Sequence, residues 1–573
     1  MMKINNLDVT IKDAGKEVTL YGWVNRKRDL GGLIFIDLRD RSGIIQLVVN
    51  PDSSVYSIAS ELKNEFVIKV VGTVQKRVSV NDKLVNGDIE VIVSDIEVLN
   101  KSIELPFDLN NVTALEDTRL KYRYLDLRRD ELKEKLLIKH NIMKSVREYL
   151  NGLDFMEIET PILCKSTPEG ARDYLVPSRV NKGSFYALPQ SPQIFKQLLM
   201  ISGFERYYQI ARCFRDEDLR ADRQPEFTQI DMEMSFVNQD DVISVTEGLL
   251  SKVFKDVKGL DIKLPIQRMS YDEAINYYGS DKPDLRYEMK INDISSVFED
   301  SDFKVFSDVL ADGGLINCIV VKDKADSFSR KDIDKLTEFV KIYGAKALAF
   351  LKYADEFSGS IAKFIDDEKA RKLSDILSLQ SNDLILIVAG DKKMVKTSLG
   401  ALRCKIAKDL DMISDEYKLV WITDFPMFEY SEEEGRYIAC HHPFTMPKSF
   451  DDLDDKENAK AIAYDIVLNG YELGGGSIRI HDPEMQRKVF DSLGLSLEEA
   501  NDKFGFLINA LSLGAPPHGG LAIGLERFTM LLSGTDNIRD VIAFPKTASA
   551  SDLMTDAPSE VSLEQLKDLG IKL

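Results

Sequence analysis

Cysteine and histidine are scarce in this chain of 573 residues, which contains five of each. The cysteines are scattered and show no paired spacing: Cys164, Cys213, Cys318, Cys404 and Cys440. This pattern argues against a cysteine-based zinc site and favours free thiols in a reducing cytosol. The histidines show no metal spacing either, because adjacent residues such as His441 and His442 point to opposite faces of a strand. We therefore expect a cytoplasmic protein without zinc.

Long apolar runs are also missing from the sequence. No run approaches the roughly 18 residues that a membrane span needs, and the first six residues lack the apolar core of a signal peptide. The net charge of −20 argues against a sequence-blind nucleic-acid binder, whose affinity depends on neutralising phosphates. However, residues 1–100 carry 13 Lys/Arg and 14 Asp/Glu, so the acidic excess lies almost wholly in the remainder.

The length indicates several domains, because 573 residues are too many for one ordinary hydrophobic core. The composition, 44% hydrophobic and 30% charged residues, is typical of a globular protein. Changes of pattern predict a barrel domain at 1–105, a linker at 106–135, a main domain in two parts at 136–288 and 414–555, an insertion at 289–413 and a C-terminal extension at 556–573.

The first 105 residues contain five strand-like stretches that are separated by turn signals, with a helical stretch after the third. This is the plan of an OB-fold, a small barrel that binds oligonucleotides on one face. Phe35 and Gln46 lie on neighbouring predicted strands near Arg26 and Arg28. If Phe35 is exposed, its ring can stack on a splayed base. Alternatively, Phe35 belongs to the core, and the pattern alone does not decide between the two interpretations.

The stretch from Phe214 to Phe236 has the most unusual pattern in the chain. After a charged, loop-forming segment, polar and apolar residues alternate, which indicates a β-strand with one buried face. The predicted buried face carries Thr228, Ile230, Met232, Met234 and Phe236, and the predicted polar face carries Phe227, Gln229, Asp231, Glu233 and Ser235. A ring beside arginines such as Arg215 suits a stacked base and a bound phosphate. The alternative is an edge hairpin with a solvated face.

Two glycine-containing stretches near the end of the chain also carry charged side chains. Asp465 and Glu472 are hard oxygen ligands that suit Mg²⁺ on nucleotide phosphates, and the nearby glycines 474–476 let the backbone approach a ligand closely. Arg527 stands in the first turn of an otherwise apolar helix that follows an apolar strand. Such an arginine must be paired or must bind an anion.

Two further stretches are candidate substrate contacts. Gln193 and Lys196 follow a predicted helix start and are three residues apart, so both side chains face the same way. The adjacent His441 and His442 precede Pro443. An isolated histidine is more often structural than a ligand, by roughly two to one, whereas the pair and its sequence context favour a substrate contact, with His441 as the stronger candidate.

These stretches together resemble the class II aminoacyl-tRNA synthetases, in the subgroup for aspartate, asparagine and lysine. The segment Phe155–Leu163 resembles motif 1, Phe214–Phe236 resembles motif 2 and Gly519–Leu532 resembles motif 3, in the order of that family. The predicted barrel resembles the anticodon-binding domain of the subgroup. The position of the insertion resembles that of the bacterial aspartyl enzymes. The expected fold is therefore α+β and multidomain, with an N-terminal OB-fold barrel, an antiparallel-sheet catalytic domain and an inserted α+β domain.

The resemblance implies a role for each matching residue. The implied catalytic residues are Arg215, Glu472 and Arg527. The implied aspartate contacts are Glu169, Ser191, Gln193, Lys196, Arg215, Asp231, His441, His442 and Arg479. The implied ATP contacts are Arg215, Asp216, Glu217, Gln224, Phe227, Glu472, Gly524, Leu525, Glu526 and Arg527. The implied metal ligands are Asp465 and Glu472, and the implied anticodon contacts are Arg26, Arg28, Leu30, Phe35, Gln46 and Glu90.

The implied activity is ATP-dependent aspartate–tRNA ligation by a homodimer, with Mg²⁺ and with no zinc, organic cofactor or membrane partner. Lys196 and Arg479 would offer two cations to a substrate carboxylate, so a neutral asparagine would leave them underpaired, at a cost of roughly a few kcal/mol. An asparaginyl or lysyl enzyme is disfavoured by the insertion and by the pair Lys196 and Arg479, and a catalytically silent nucleic-acid-binding relative is disfavoured by the intact Arg215, Glu472 and Arg527. The remaining alternative is an aspartyl enzyme that also charges the asparagine tRNA. Leu30 favours the form that discriminates between the two tRNAs.

The predicted insertion alternates strands and helices, which indicates a separate α+β domain. The pattern predicts a strand at Phe303–Phe306 and a helix near Lys331–Ile342. The segment contains no nucleophile–base pair and no phosphate-binding loop. We therefore expect it to have no catalytic role.

Overall fold

The computed structural model describes residues 4–166, 171–217, 222–432 and 435–572. The chain forms two compact units, one that ends at Thr118 and one that begins at Arg119. Among the described residues, none of the helices combines the length and the apolar character that crossing a membrane requires.

The first unit is a closed five-stranded barrel with the strand order β1-β2-β3-β5-β4. Its elements are β1 (Glu17–Leu30), β2 (Leu33–Arg39), β3 (Ile44–Val49), α1 (Tyr56–Glu61), β4 (Val67–Lys76) and β5 (Ile89–Asn100). Alternate side chains of each strand fill the interior, among them Leu20, Ile36 and Val70, which are fully buried. The predicted OB-fold is confirmed. β1 continues to Leu30, so the basic residues of its second half lie on a strand.

The second unit is built on an eight-stranded, mainly antiparallel sheet with the order β11-β17-β20-β21-β22-β10-β9-β6. The first part of the chain supplies α2 (Glu116–Lys121), α3 (Arg123–Asp126), α4 (Asp130–Asn151), β6 (Met156–Glu157), β7 (Leu175–Pro177), β8 (Phe185–Ala187), α5 (Gln193–Ile201), β9 (Arg206–Phe214), β10 (Glu226–Ser235), α6 (Gln239–Lys258), β11 (Arg268–Ser270) and α7 (Tyr271–Tyr278).

The chain returns to this sheet after a long excursion. The returning elements are β17 (Leu419–Thr423), β18 (Phe428–Ser431), β19 (Arg436–Ala439), β20 (Ala463–Leu468), β21 (Tyr471–Ile478), α12 (Pro483–Ser492), α13 (Leu497–Leu511), β22 (His518–Gly524), α14 (Leu525–Ser533) and α15 (Leu563–Leu569). β22 lies between β21 and β10, so the last predicted motif is next to the strand of the second one.

One face of this sheet is covered by helices α4, α6 and α14. Ile230 and Met232 of β10 pack there against apolar side chains of these helices, such as Phe254 and Phe528. Burial of each such side chain stabilises the fold by about 1.5–3 kcal/mol. The prediction for Phe236 was wrong: β10 ends at Ser235, and Phe236 adopts a positive φ of 60° and is 69% exposed. The alternation of β10 leaves Phe227, Gln229 and Asp231 on the opposite face.

The excursion forms its own five-stranded sheet with the order β12-β13-β16-β14-β15. Its elements are β12 (Asn292–Asp293), α8 (Lys304–Ala311), β13 (Leu315–Val321), α9 (Arg330–Lys341), β14 (Ala349–Tyr353), β15 (Phe357–Gly359), α10 (Asp367–Leu377), β16 (Asp383–Gly390) and α11 (Lys392–Asp409). We call residues 289–413 the inserted segment. The predicted strand at Phe303–Phe306 was wrong, because helix α8 begins at Lys304, with Phe303 as its N-cap residue packed edge-on against Phe306.

Candidate active site

A cavity of about 540 Å³ opens on the face of the eight-stranded sheet opposite α4, α6 and α14, where Gln193 and Lys196 of α5 also line it. Many of the residues that the sequence analysis singled out line it: Ser191, Gln193, Lys196, Arg215, Glu217, Gln224, Phe227, Asp231, His441, His442, Asp465, Glu472, Arg479, Gly524, Glu526 and Arg527. Asp216 and Leu525 do not line it, and Leu525 packs into the helix-covered core instead. Glu169 lies outside the described residues.

One end of the cavity is built from a buried network of four charged side chains. Lys196 Nζ lies 2.6 Å from Asp231 Oδ1 and 3.3 Å from Glu233 Oε2. Arg479 donates from Nε to Glu233 Oε1 at 2.9 Å and from Nη2 to Glu233 Oε2 at 3.1 Å. All four side chains are at most 2% exposed. The two cations therefore have protein carboxylates as partners before any substrate binds.

Glu233 is the residue of this network to which the sequence analysis gave no role. It lies on the same face of β10 as Asp231, two residues further on, and this period-two spacing was the available signal. Burial acts to raise the pKa of Glu233, but the charges of Arg479 and Lys196 outweigh it and lower that pKa. At Asp231, burial prevails over Lys196 and raises the pKa. Glu233 is thus the firmly ionised partner of Arg479.

His442 is held by the same arginine. Arg479 Nη1 donates to His442 Nε2 at 2.7 Å and to Ser477 Oγ at 2.6 Å. A guanidinium group can only donate to Nε2, and Nδ1 faces the Phe444 backbone N–H at 3.2 Å, so both ring nitrogens lie next to hydrogen-bond donors. Burial and the nearby Arg479 charge lower the pKa of His442 well below its usual value. His442 is therefore neutral and orients the guanidinium group.

His441 has a different environment. Its ring packs edge-on against Phe425, and Nε2 is buried with no hydrogen-bond partner in the part of the chain that the structure describes. Burial, together with Arg479, lowers the pKa of His441 to about 4. Gln193 Nε2 is likewise buried without a partner among those residues. Both side chains line the cavity and have hydrogen-bonding capacity left for a ligand.

The other end of the cavity contains two arginines and an aromatic ring. The Arg215 guanidinium lies over the Phe227 ring, 5.2 Å from its centroid. Arg527 donates from Nη1 to the Glu472 carbonyl at 2.7 Å, and its Nη2 lies 3.2 Å from Asp222 Oδ2. The Nε atoms of Arg215 and Arg527 are buried without a partner among the described residues. An aromatic base can stack on the Phe227 ring and on the neighbouring guanidinium groups, and the arginines can also bind phosphate.

Asp465 and Glu472 provide an acidic pair beside these arginines. Asp465 is only 7% exposed, and burial together with the charge of Glu472 raises its pKa well above the usual value. A Cβ added at Gly475 would lie 2.4 Å from Asp465 Oδ1 and 3.8 Å from Glu472 Oε1, so both carboxylates face the same space. Two such carboxylates fit the oxygen chemistry of Mg²⁺, which keeps several waters and binds through one or two carboxylates and substrate phosphates.

Two predicted ATP contacts are already bound to protein groups. The side-chain amide of Gln224 donates to the Lys546 carbonyl at 3.1 Å and accepts from the Lys546 backbone N–H at 2.8 Å. Glu526 Oε1 is 2.8 Å from Lys139 Nζ, and its Oε2 accepts from the Thr228 backbone N–H at 2.8 Å. These two side chains therefore hold the walls of the cavity in place.

The cavity also contains residues that no local pattern indicated. Asp281, from the loop after α7, lines it together with Asp222, Tyr271, Phe425 and Glu429. They come from segments far apart in the sequence, and only the fold brings them together. The cavity thus combines a paired charge network at one end with an acidic pair and two arginine Nε atoms that have no partner among the described residues at the other.

A sequence profile described as class II tRNA synthetases (D, K and N) matches residues 115–548, and one described as an OB-fold nucleic acid binding domain matches residues 18–99. The chain belongs to the class II tRNA synthetases of the D, K and N group. The match to the first profile spans both parts of the eight-stranded sheet, so all residues of the cavity lie within it.

Curated relatives of this synthetase are similar along the whole chain. An aspartate–tRNA ligase from Staphylococcus haemolyticus is 57% identical over 577 residues, which covers 99% of this chain and 98% of the relative. An aspartate–tRNA ligase from Streptococcus agalactiae is 56% identical over 566 residues, which covers 97% and 96%.

Solved structures share the fold of this synthetase at low sequence identity. Asparaginyl-tRNA synthetase from Pyrococcus horikoshii, in complex with asparaginyl-adenylate, is 19% identical with a TM-score of 0.61, covering 96% of this chain and 98% of that one. Aspartyl-tRNA synthetase from Entamoeba histolytica is 21% identical with a TM-score of 0.59, covering 95% and 91%.

The barrel of this synthetase brings the predicted anticodon residues onto neighbouring strands. Arg28 pairs with Phe35 across β1 and β2, and its guanidinium lies 5.9 Å from the centroid of that ring. Gln46 Nε2 donates to Glu90 Oε2 at 2.9 Å. Phe35 is only half-buried and does not belong to the barrel core, and Leu30 is 63% exposed. Arg26, whose register partner is Asp37, lies on the same strand as Arg28.

Proposed function

We propose that the chain is an aspartate–tRNA ligase. It activates L-aspartate with ATP to aspartyl-adenylate and pyrophosphate, and then transfers aspartate to the 3′ end of the aspartate tRNA. The observation that carries the proposal is the buried network of Lys196, Asp231, Glu233 and Arg479 at one end of the cavity. The similarity to aspartate–tRNA ligases along the whole chain supports the same substrate.

The two transfers need positioning and charge neutralisation more than a protein nucleophile. In the first, the aspartate α-carboxylate attacks the α-phosphorus of ATP, and pyrophosphate leaves on the opposite side. Arg215 stabilises the negative charge on the α-phosphate, and its buried Nε, which has no partner in the described part of the chain, supports this role. Phe227 and Arg527 hold the adenine ring. In the second transfer, the terminal ribose hydroxyl of the tRNA attacks the adenylate carbonyl carbon and releases AMP.

Asp465 and Glu472 would hold a magnesium ion of ATP. Bound there, the ion would neutralise charge on the phosphates that leave as pyrophosphate. The raised pKa of Asp465 supports this assignment, because burial and the charge of Glu472 both disfavour its ionised form and a bound cation would offset both.

The charge network explains the choice of aspartate. The substrate ammonium group binds near Asp231, and its side-chain carboxylate binds Lys196 and Arg479, which both line the cavity. Glu233 and His442 fix the Arg479 guanidinium from two sides, so little reorganisation is needed when the substrate carboxylate arrives. A neutral asparagine would forfeit this interaction, and a lysine side chain would be repelled.

Two further parts of the proposal concern partners. The half-buried Phe35 and the basic residues of β1 support an anticodon contact on the barrel, with stacking of a base on the ring.

Three apolar side chains in the predicted motif 1 segment are about half exposed: Met156 at 52%, Ile162 at 49% and Leu163 at 52%. Such apolar side chains on a surface segment support a homodimer that buries them.

The test is aminoacylation of purified aspartate and asparagine tRNAs, side by side, with aspartate as the amino acid. We expect charging of the aspartate tRNA and little charging of the asparagine tRNA. Equal charging of both would replace the proposal by the non-discriminating enzyme, which the names of the curated relatives do not favour. No charging of either tRNA would contradict the proposal.

A further inference from the structure

The inserted segment is joined to the eight-stranded sheet close to the acidic pair of the cavity. Asp465 lies on β20 and Glu472 lies on β21, and these two strands are joined by the turn at Asn469 and Gly470. Asp465 pairs with Gly475 and Val467 pairs with Glu472, with an irregularity in the register between them. The conformation of this turn therefore determines how the two carboxylates stand relative to each other.

The chain that leaves the inserted segment is bonded to this turn by three hydrogen bonds. The Lys418 backbone N–H donates to Asn469 Oδ1 at 2.8 Å, and Asn469 Nδ2 donates to the Glu416 carbonyl at 3.1 Å. The Asn469 backbone N–H also donates to the Lys418 carbonyl at 3.1 Å. Asn469 is 9% exposed and has a φ of 54°, a conformation that asparagine and glycine tolerate.

The chain that enters the inserted segment touches the same turn. A Cβ added at Gly470 would lie 3.1 Å from Asp284 Cβ, so the two segments are in close contact. Arg403 of helix α11 fixes this entering chain by donating to the Asp284 carbonyl at 3.1 Å and to the Met289 carbonyl at 2.9 Å. The guanidinium is 1% exposed and lies over the ring of Tyr287 at 4.4 Å.

Both connections of the inserted segment therefore hold the one turn that separates Asp465 from Glu472. We propose that the inserted segment is a positioning element for this acidic pair, and that Asn469 and Arg403 set the geometry in which the pair binds the magnesium ion of ATP. This inference rests on the proposed function, because it assigns that ion to Asp465 and Glu472. Groups that orient metal ligands commonly change metal affinity by roughly 10–100-fold when they are removed.

The chain offers a matched pair of variants for the test. Asn469→Gly keeps the left-handed conformation and removes both side-chain hydrogen bonds to the chain that leaves the inserted segment. Asn382→Gly is the control, because Asn382 has a φ of 69° and also anchors a turn by its side chain, through Asp323 and Asp326, within the inserted segment. Arg403→Lys is the second test variant, which keeps the charge and loses the planar pair of donors.

The first measurement is Mn²⁺ binding by electron paramagnetic resonance, in the presence of a non-hydrolysable ATP analogue and without amino acid. We expect Asn469→Gly and Arg403→Lys to weaken Mn²⁺ binding roughly tenfold, and Asn382→Gly to leave it within twofold. Thermal unfolding of each variant shows whether the fold is retained. The inference is overturned if Asn469→Gly binds Mn²⁺ as the unchanged chain does, or if Asn382→Gly weakens it equally.

The second measurement is aspartate-dependent pyrophosphate exchange as a function of Mg²⁺ concentration. We expect Asn469→Gly to raise the half-saturating Mg²⁺ concentration and the KM for ATP, while the KM for aspartate stays unchanged. An equal rise in both KM values would contradict a role confined to the acidic pair. If the unchanged chain shows no exchange with aspartate, the proposed function fails, and the Mn²⁺ comparison still decides whether the inserted segment positions the pair.

Discussion

The two ends of the cavity differ in how their charges are compensated. At the amino-acid end, Lys196 and Arg479 are matched by Asp231 and Glu233, and every partner is buried. At the nucleotide end, Arg215 and Arg527 each keep an Nε atom without a partner among the described residues, and Asp465 stands beside Glu472 with a raised pKa. The cations of the amino-acid end are thus paired with carboxylates before the substrate arrives, whereas the nucleotide end keeps two arginine Nε atoms without a partner among the described residues and a buried carboxylate beside a second one.

This difference corresponds to the two ligands that we propose. Aspartate is small and must be distinguished from asparagine, so its end needs fixed donors whose reorganisation cost was met during folding. ATP carries its own negative charges and a divalent cation. Its end therefore needs arginines that bind the phosphates and carboxylates that bind the cation when ATP arrives. Substitutions at one end should therefore affect one ligand and leave the other unaffected.

Removal of Arg479 should have the largest effect. Arg479→Leu leaves Glu233 buried without its guanidinium partner, a change that costs roughly 3–5 kcal/mol. We expect aspartate-dependent pyrophosphate exchange to fall by at least roughly 100-fold, while ATP binding is retained.

The control for this prediction is Arg268→Leu, which removes an arginine from a largely exposed ion pair with Asp240. Such a pair contributes little, so exchange should stay near that of the unchanged chain. Near-normal exchange in Arg479→Leu would contradict the role of the network in selecting aspartate.

Asp465→Asn tests the nucleotide end. Loss of one carboxylate ligand should weaken Mg²⁺–ATP binding by roughly 10–100-fold, and aspartate binding without ATP should be unchanged. Isothermal titration with each ligand separately measures both quantities. A loss of aspartate binding instead of ATP binding would show that the two ends are not independent.

The pH dependence of the free energy of unfolding tests the buried environment of His441, at the amino-acid end of the cavity. Its folded-state pKa is about 4, below the ordinary value of 6.5, so the unfolded chain binds this proton first as the pH falls. Stability is therefore lost between pH 6.5 and 4, by about 2 kcal/mol at pH 5 from this group. In urea unfolding, the free energy of unfolding of His441→Gln should fall over this pH range by about 2 kcal/mol less than that of the unsubstituted protein. An identical pH dependence in the variant would contradict the depressed pKa.

Phe227→Leu should affect only the nucleotide end. Stacking of a base on an aromatic ring is worth about 1–3 kcal/mol, so we expect the KM for ATP in pyrophosphate exchange to rise roughly tenfold with the KM for aspartate unchanged. A larger rise in the KM for aspartate than in the KM for ATP would contradict an adenine contact for Phe227.

Phe35→Leu should leave the cavity untouched at both ends. We expect unchanged pyrophosphate exchange, which needs no tRNA, and a KM for tRNA that rises about fivefold through loss of one stacked base. Measuring both reactions on the same preparation separates the barrel from the cavity. A fall in exchange would indicate that the substitution damages the fold.

The sequence predicted the features that arise from local patterns. Period-two alternation located the cavity face of β10, and five short strands with turns located the barrel. It missed the pairing of Glu233 with Arg479, because the two residues are 246 positions apart and local pattern carries no information on such contacts. The strand predicted at Phe303–Phe306 failed because aromatic residues three apart suit the first turn of a helix equally well. Asp281 entered the cavity only through the packing of a loop.

The central claim is that the charge network selects aspartate. Pyrophosphate exchange by the unchanged chain, with aspartate, asparagine and lysine supplied one at a time, tests it most directly. We predict exchange with aspartate that exceeds exchange with asparagine by at least roughly 100-fold, as a few kcal/mol requires, and none with lysine. Exchange with asparagine at a rate comparable to that with aspartate would contradict the account.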